Sequence, residues 1–567
     1  MIQSFVLLLF VAAIVAGVRP AEAAPATTIY KITGTVTSSV DDSPIPHAHL
    51  TAMLAASGEH EERRPFRRGG PEAGIEADAD DNGRFVIAVP SPGRWRLLAS
   101  AAGYVKQAYN AHDEFSSAVV LTQTQPHFDL QFRLPPEAEI LGTVLDESGE
   151  AVRNARVILE HRPTSSPDSG QDDFRNWTVA QTDDRGAYDF SGLAPGEYRV
   201  KVDAKPWYSI STRPQLSSAN AVQNPGLDVT YQLTWYPGVN NATEAEVLSM
   251  KAADVRRADF QLIPVPAVHV TFAAPETVGS GSRRFPSFPV VERIDSGGAG
   301  LAAVIPNRGN DGRMDVGGLA PGIYRIRMAG PNQEPESRLI EVRAGGSTVI
   351  DATSAESDVT DVTIEDEGPA VGRPAGVVLK DARKGTRFAS FSQDMFFRGP
   401  NESRPDGRGK QPVKMQVPSG KYEVLLSDRQ RYLLGLSAKG AGVSGRFITL
   451  RGGEVTLKVH TASGRASVHG IVSVSGRPVE GAMVLMVPAS LNDPDSFARI
   501  VRDQTNTDGS FDLNGVVPGQ YILIAVERAW QLRWEDAAFL ERYLPHGIPL
   551  EVHPDATLSE NLNAQQP

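Results

Sequence analysis

Asp184-Arg185-Gly186-Ala187-Tyr188, followed by Pro195-Gly196-Glu197-Tyr198-Arg199-Val200-Lys201-Val202-Asp203, is the stretch that decides how this chain folds. The first part is a polar turn entering a strand: a short acidic side chain closes the turn and Gly accepts the left-handed backbone. In the second part Pro presets φ for the first corner, and Gly is expected to take a positive φ at the next. The residues then alternate, with Tyr198, Val200 and Val202 on one side and Arg199, Lys201 and Asp203 on the other, the period of a half-buried strand. Together the two parts read as a hairpin of turn, strand, turn, strand.

The pattern recurs. Pro92-Gly93-Arg94-Trp95, Pro321-Gly322-Ile323-Tyr324 and Pro518-Gly519-Gln520-Tyr521 repeat the second part, and Pro418-Ser419-Gly420-Lys421-Tyr422 carries it with one extra residue. The glycines are separated by 103, 126, 98 and 99 residues, so the repeating unit is a domain rather than a solenoid turn. Asp81-Asn82-Gly83-Arg84-Phe85, Asn310-Asp311-Gly312-Arg313-Met314 and Thr507-Asp508-Gly509-Ser510-Phe511 repeat the first part. Opening strands are visible at Gly34-Thr35-Val36, Gly142-Thr143-Val144 and Gly470-Ile471-Val472, and are degraded in the third and fourth units.

The order G-x-V, P-V-x-G-A-x-V, T-D-x-G-x-F, P-G-x-Y resembles the carboxypeptidase regulatory-like domain. That resemblance implies a transthyretin-like β-sandwich, akin to the B-type repeats of collagen adhesins and to starch-binding folds. The match is closest at 139–203 and 468–526, good at 30–104, and partial at 310–328 and 413–426. These motifs are turn chemistry and core alternation, so they speak to fold far more than to function.

The expected architecture is all-β: a tandem array of about five Ig-like, transthyretin-like antiparallel β-sandwich domains at 27–135, 136–264, 265–350, 351–463 and 464–567, after a signal peptide at 1–23. One short helix is predicted at 533–543, with Trp534, Ala537, Ala538 and Tyr543 sharing a face and Pro545 ending it. Pro135-Pro136 and Pro264-Val265-Pro266 predict stiff junctions and units strung out in line. Polar insertions at 57–76, 161–177, 277–309 and 488–503 are where such sandwiches would carry recognition.

Composition narrows the function. With 567 residues and 41% hydrophobic content the chain is globular and multidomain, and 52 Gly and 41 Pro suit many short strands. A net charge of -12 tells against nucleic acid as partner. Phe5 to Val18 is apolar and Ala21-Glu22-Ala23 is a small-x-small cleavage site, so export with a mature start at Ala24 is expected, although Met1 to Ser4 carries no Lys or Arg. The apolar run is too short to span a bilayer, and no later segment is long enough, so no membrane span is expected in the mature chain. There are no cysteines, so each exported unit must rely on core burial, and the thiol that a bacterial lipid anchor needs is missing.

No catalytic residue emerges. A zinc peptidase needs His and Glu three apart plus a further His, and no histidine has Glu at that spacing; His60-Glu61-Glu62-Arg63 comes nearest. Asp295-Ser296-Gly297-Gly298 echoes a serine-protease segment but lacks its preceding Gly and any matching His. There is no Gly-x-Ser-x-Gly and no P-loop. Asp78, Asp80 and Asn82 make half of a calcium loop, but Val89 stands where the closing Glu belongs. Glu59 to Arg68 reads as a solvated charged loop. Lys31 lies on a first strand, where collagen-adhesin repeats place the lysine of an internal crosslink, but the other openings lack it, and an edge-strand lysine that blocks further pairing is the plainer reading. The aromatics Trp177, Trp207, Tyr208, Trp235 and Tyr236 cluster in the second unit outside its repeat motif, and exposed rings suit sugar stacking; packing against neighbouring loops is the alternative.

The sequence therefore reads as an exported, periplasmic or extracellular, non-catalytic binding or spacer protein without cofactor, whose partner is a polysaccharide or another envelope protein. The alternatives are a carbohydrate-binding protein serving polysaccharide handling and a peptidase-associated protein lacking its catalytic domain.

Overall fold

The computed structural model describes residues 29–55, 74–112, 115–162, 174–209, 225–273, 290–295, 298–301, 304, 307–308, 313–328, 336–343, 349–351, 359–369, 376–383, 386–389, 412–428, 430–492, 496–531, 534 and 536–567. The signal segment, Glu59 to Arg68 and Asn310 to Gly312 lie outside them. Strands dominate, and among the described residues the α-helix is the single element Ala537–Tyr543.

Among the described residues five pairs of larger sheets follow one another along the chain and share one plan, with a further two-stranded sheet of Val229–Tyr231 and Pro264–Pro266. The opening strand lies between two neighbours: antiparallel to the strand that precedes the proline-glycine motif, and parallel to the strand that closes the unit. In the first unit Tyr30–Ser38 lies between Arg84–Val89 and His127–Leu134. In the second, Ala138–Leu145 lies between Ala187–Leu193 and the pair Val255–Arg257 and Phe260–Gln261. The third unit uses Val268–Ala273 with Arg313–Leu319 and Val349–Asp351, and the fourth uses Val359–Asp366 with Val413–Pro418 and Gly453–Ala462. The fifth uses Ala466–Val474 with Ser510–Val516, Thr557–Ser559 and Leu562–Asn563. The third and fourth units, whose openings are degraded in sequence, thus each have both sheets.

The two strands expected to form a hairpin do not pair. In every unit they belong to opposite sheets: Ala187–Leu193 pairs with Ala138–Leu145, whereas Gly196–Asp203 pairs with Arg156–His161. The Pro-Gly corner is an arch that carries the chain across the core. Pro has no N–H to continue a ladder, which favours a strand end over a ladder-bonded hairpin turn.

A second correction concerns the glycine after that proline. Gly93 and Gly519 have φ of 147° and 156°, but Gly196, Gly322 and Gly420 are not in the positive-φ set at all. There the aromatic two residues on, pointing to the same face, lays its ring over the glycine. A Cβ would lie 3.6 Å from the Tyr198 ring at Gly196, 3.5 Å from Tyr324 at Gly322, 3.2 Å from Tyr422 at Gly420 and 3.4 Å from Tyr521 at Gly519. The left-handed glycines are those of the Asp-Gly turns: Gly83, Gly186 and Gly509 have φ of 72°, 73° and 76°.

The sandwich interiors hold the alternating residues: Ile32, Phe85, Trp95 and Phe132 in the first unit, and Val157, Tyr188, Val200 and Val202 in the second. Ile294 and Leu339 of the third unit pack into the core of the fourth. Met483–Pro488 in the fifth unit is buried on both faces, because the helix covers its outer side with Leu540 and Tyr543, joined by Trp534. The helix starts at Asp536, whose carboxylate accepts the Ala538 N–H at 2.9 Å. Its buried face is Leu540 and Tyr543; Ala538, expected on that face, is exposed.

The units are not strung out. Val105 N–H donates to Pro135 O and Glu137 N–H to Gly103 O, tying the first junction down, and the fifth unit packs on the first. Stiffness of the Pro-bearing links fixes spacing between neighbours, but it does not oppose a turn at each junction.

Candidate binding surfaces

The repeat's own polar and aromatic residues hold the fold. The aromatic of each arch donates to the carbonyl four residues earlier: Tyr198 to Ala194 at 2.8 Å, Tyr324 to Ala320 at 2.9 Å, Tyr422 to Pro418 at 2.8 Å and Tyr521 to Val517 at 2.7 Å. Trp95 Nε1 does the same to Ser91 O at 3.2 Å. The extra residue in the fourth copy moves the proline but not the acceptor position. At the Asp-Gly turn the closing carboxylate is one residue earlier than the Asp quoted from the motif. Asp80 Oδ1 accepts the N–H of Asn82 at 2.9 Å and of Arg84 at 2.8 Å; Asp183 Oδ1 accepts those of Arg185 and Ala187 at 2.9 and 2.8 Å. The turn glycine carbonyls then accept from the opening strand, at 2.8 Å each from the Val36, Val144 and Val472 N–H.

This places the calcium candidates. Asp80 is engaged by the turn, Asp78 Oδ1 lies 2.9 Å from His49 Nδ1, and Asn82 serves as a backbone donor. Among the described residues no three His, Cys, Asp or Glu side chains are arranged to hold a metal ion. Lys31 is exposed on its strand.

The aromatics of the second unit do not form one platform. Trp235 is 5% exposed, and its Nε1 donates to the buried Glu160 Oε2 at 3.4 Å. It is a core residue, which corrects the reading of it as a ring on the surface. Tyr236 packs edge-on to Phe260 at 6.1 Å, against the core. Trp207 is 78% exposed and meets Tyr208 edge-to-face at 5.8 Å; the Tyr208 hydroxyl donates to Glu147, which also accepts from Tyr231 at 3.1 Å. The Trp177 backbone lies in Arg175–Gln181, and its side chain is outside the described residues. Among those whose side chains are described, Trp207 and Tyr208 stand together at the surface.

Two charge clusters join the second and third units, and neither was foreseen from sequence. Lys201, assigned outward by alternation, is fully buried; its Nζ lies 2.7 Å from Glu160 Oε1 and 3.2 Å from Asp295 Oδ2 of the third unit. Burial pushes the Lys201 ammonium down, but Asp295 and Glu160 outweigh it and hold it above its ordinary value. His269 lies between Asp315, 2.9 Å from Nδ1, and Asp228 of the second unit, 2.8 Å from Nε2. The Asp315 hydrogen bond leads in raising the imidazole to about 9, so the ring is doubly protonated at neutral pH and donates to both carboxylates.

The fifth and first units meet through the segment after Tyr104–Ala108. Ser117, 1% exposed, donates to Thr505 O at 2.8 Å, and Gln504 Nε2 donates to Ser117 Oγ and Asn110 O at 2.9 and 2.6 Å. Ala118 N–H donates to Asn506 Oδ1 at 2.8 Å, Thr507 N–H to Ala118 O at 3.1 Å, and Val120 N–H to Thr507 Oγ1 at 2.9 Å. His112 stacks on Trp530 at 5.2 Å and 13°, Arg502 lies 5.2 Å from the Phe115 ring centre, and Arg94 pairs with Asp512. The one sequence signal was Asn506, which stands where the other units have Asp80 and Asp183.

Fold and geometry define a tandem β-sandwich protein whose repeat residues are structural. Within it, residues 139–233, most of the second unit, match the family model described as the carboxypeptidase regulatory-like domain. No curated protein matches the sequence. Among solved structures the chain is similar to the Bacillus anthracis TIE protein, at 9% identity over 96% of this chain and 76% of that one with a TM-score of 0.17. It is similar to a streptococcal ancillary pilin, at 14% identity over 57% and 98% with a TM-score of 0.19. It is also similar to GBS52, the minor pilin of Streptococcus agalactiae, at 12% identity over 45% and 100% with a TM-score of 0.20. At such scores nothing about arrangement or function transfers to this chain. Among the described residues no helix is long and apolar enough to cross a membrane.

Proposed function

We propose that this chain is an exported, non-catalytic scaffold of the cell envelope that holds its five sandwiches in a fixed frame and binds through the surfaces between and beyond them. The observation that carries this reading is the five-fold use of the motif aromatic as a bond to the carbonyl four residues back, which assigns the polar group that recurs in every unit to holding the fold. The test is a screen of the mature chain, from Ala24 on, against glycans and envelope polymers and proteins. Binding without turnover is expected, and chemical turnover of any bound compound would overturn the reading.

A second reading, a sugar polymer bound at the second unit, is favoured by the exposure of Trp207 beside Tyr208. Stacking on such rings adds about 1 kcal/mol each, so affinity is weak unless several sites act together. Trp207→Ala would then abolish glycan binding with an unchanged melting temperature; unaltered binding excludes this site.

A further inference from the structure

We propose that the surface joining the first and fifth units also takes a second copy of this chain, by reciprocal exchange in which the first unit of each copy seats on the fifth unit of the other. The two halves of this surface are far apart in sequence, with partners such as Ser117 and Thr505 separated by 388 residues. The surface is heterologous: the donor side around Asn110 to Val120 has no counterpart on itself, and its complement lies around Arg502 to Asp512. A heterologous pair closes within one chain, or between chains, with the same contacts.

The chemistry resembles recognition between separate bodies. It is built from side-chain and backbone hydrogen bonds, one ion pair and stacked rings around Trp530, whereas the first and fifth sandwiches each keep an apolar core of their own. The fifth unit hangs from the fourth by Ser463-Gly464-Arg465, between the strands Gly453–Ala462 and Ala466–Val474, and Gly464 has a φ of 93°. Rotation at that link breaks the bond from Arg465 Nη2 to Arg431 O at 2.8 Å and carries the fifth unit off the first without opening a sandwich. Closure within the chain then competes with pairing between chains through effective concentration alone.

Charge reversal separates the two. In Arg94→Asp and in Asp512→Arg, closure within one chain sets like charges at the ion pair, whereas an equimolar mixture restores opposite charges at both junctions of an exchanged dimer. The expected result is monomers for each variant alone at micromolar concentration, a 1:1 dimer by native mass spectrometry in the mixture, and a closed monomer for the double variant. Because the chain has no cysteine, a second measurement is independent of charge. Chains carrying Ala118→Cys and chains carrying Thr507→Cys, mixed under mild oxidation, are expected to give at least tenfold more heterodimer than either alone gives homodimer. A mixture that stays monomeric, or disulfides no more frequent between the two variants than within each, overturns the proposal.

Discussion

At the scale of single residues, two kinds of glycine punctuate the same repeat for different reasons, and they should respond differently to substitution. Gly186 has a φ of 73°, and a Cβ there would lie 2.4 Å from Val144 O, a backbone atom that cannot retreat. Gly186→Ala is expected to cost on the order of 1–3 kcal/mol from backbone strain, with the collision added. Gly196 is not at positive φ, and its Cβ would meet only the His161 ring at 3.1 Å and Tyr198 at 3.6 Å. Gly196→Ala should therefore be the milder change, and denaturant titration of the two variants orders them. Removing the hydroxyl in Tyr198→Phe deletes the bond to Ala194 O and should cost about 1 kcal/mol; no loss would mean that water replaces it.

At the scale of elements, the short strand Thr234–Trp235 brings Trp235 under the sheet edge next to Lys201 and Glu160. Trp235→Ala should destabilise by about 3–5 kcal/mol, as large-to-small core changes do, whereas Trp207→Ala should stay within about 0.5 kcal/mol. Equal effects in thermal melts would contradict the burial that separates them. Lys201→Met leaves Glu160 buried beside Trp235 without its cation and should cost about 3–5 kcal/mol; the double change Lys201→Met, Glu160→Leu should recover most of that, because replacing a buried pair with apolar groups is often near neutral.

At the scale of the molecule, the junctions between the second and third units and between the first and fifth are polar, and the former depends on pH. His269 has its folded value raised to about 9 from an ordinary 6.5. The stability it lends the contact between the second and third units is fully present below about 6.5 and is lost as pH rises through about 9. Melting temperature should fall across that window, and Asp228→Asn should flatten the slope; a wild-type chain with constant stability from pH 6.5 to 9.5 would show that the imidazolium contributes nothing. Closure between the first and fifth units couples their unfolding. Ser117→Arg, which forces a large cation into a site 1% exposed, should lower the transition of both units in calorimetry and raise the radius of gyration above the roughly 24 Å of a compact chain this long.

The alternation of apolar and polar residues, the turn chemistry at Gly83, Gly186 and Gly509, and the five recurring aromatics determined an all-β array of sandwiches, because these are local properties that act within a few residues. The sequence left open which strands pair. Residues 187–193 and 196–203 are adjacent and both β-forming, yet the choice between a hairpin and an arch depends on what the far partners Ala138–Leu145 and Arg156–His161 offer them. The same holds for the candidate site. Trp207 and Trp235 look alike in sequence, and only the packing around them makes one a surface ring and the other a core residue. Lys201 reads as an outward cation until the third unit covers it with Asp295. Closure of the fifth unit on the first joins residues nearly 400 positions apart through hydrogen bonds that no periodicity records, so tertiary structure alone decided it.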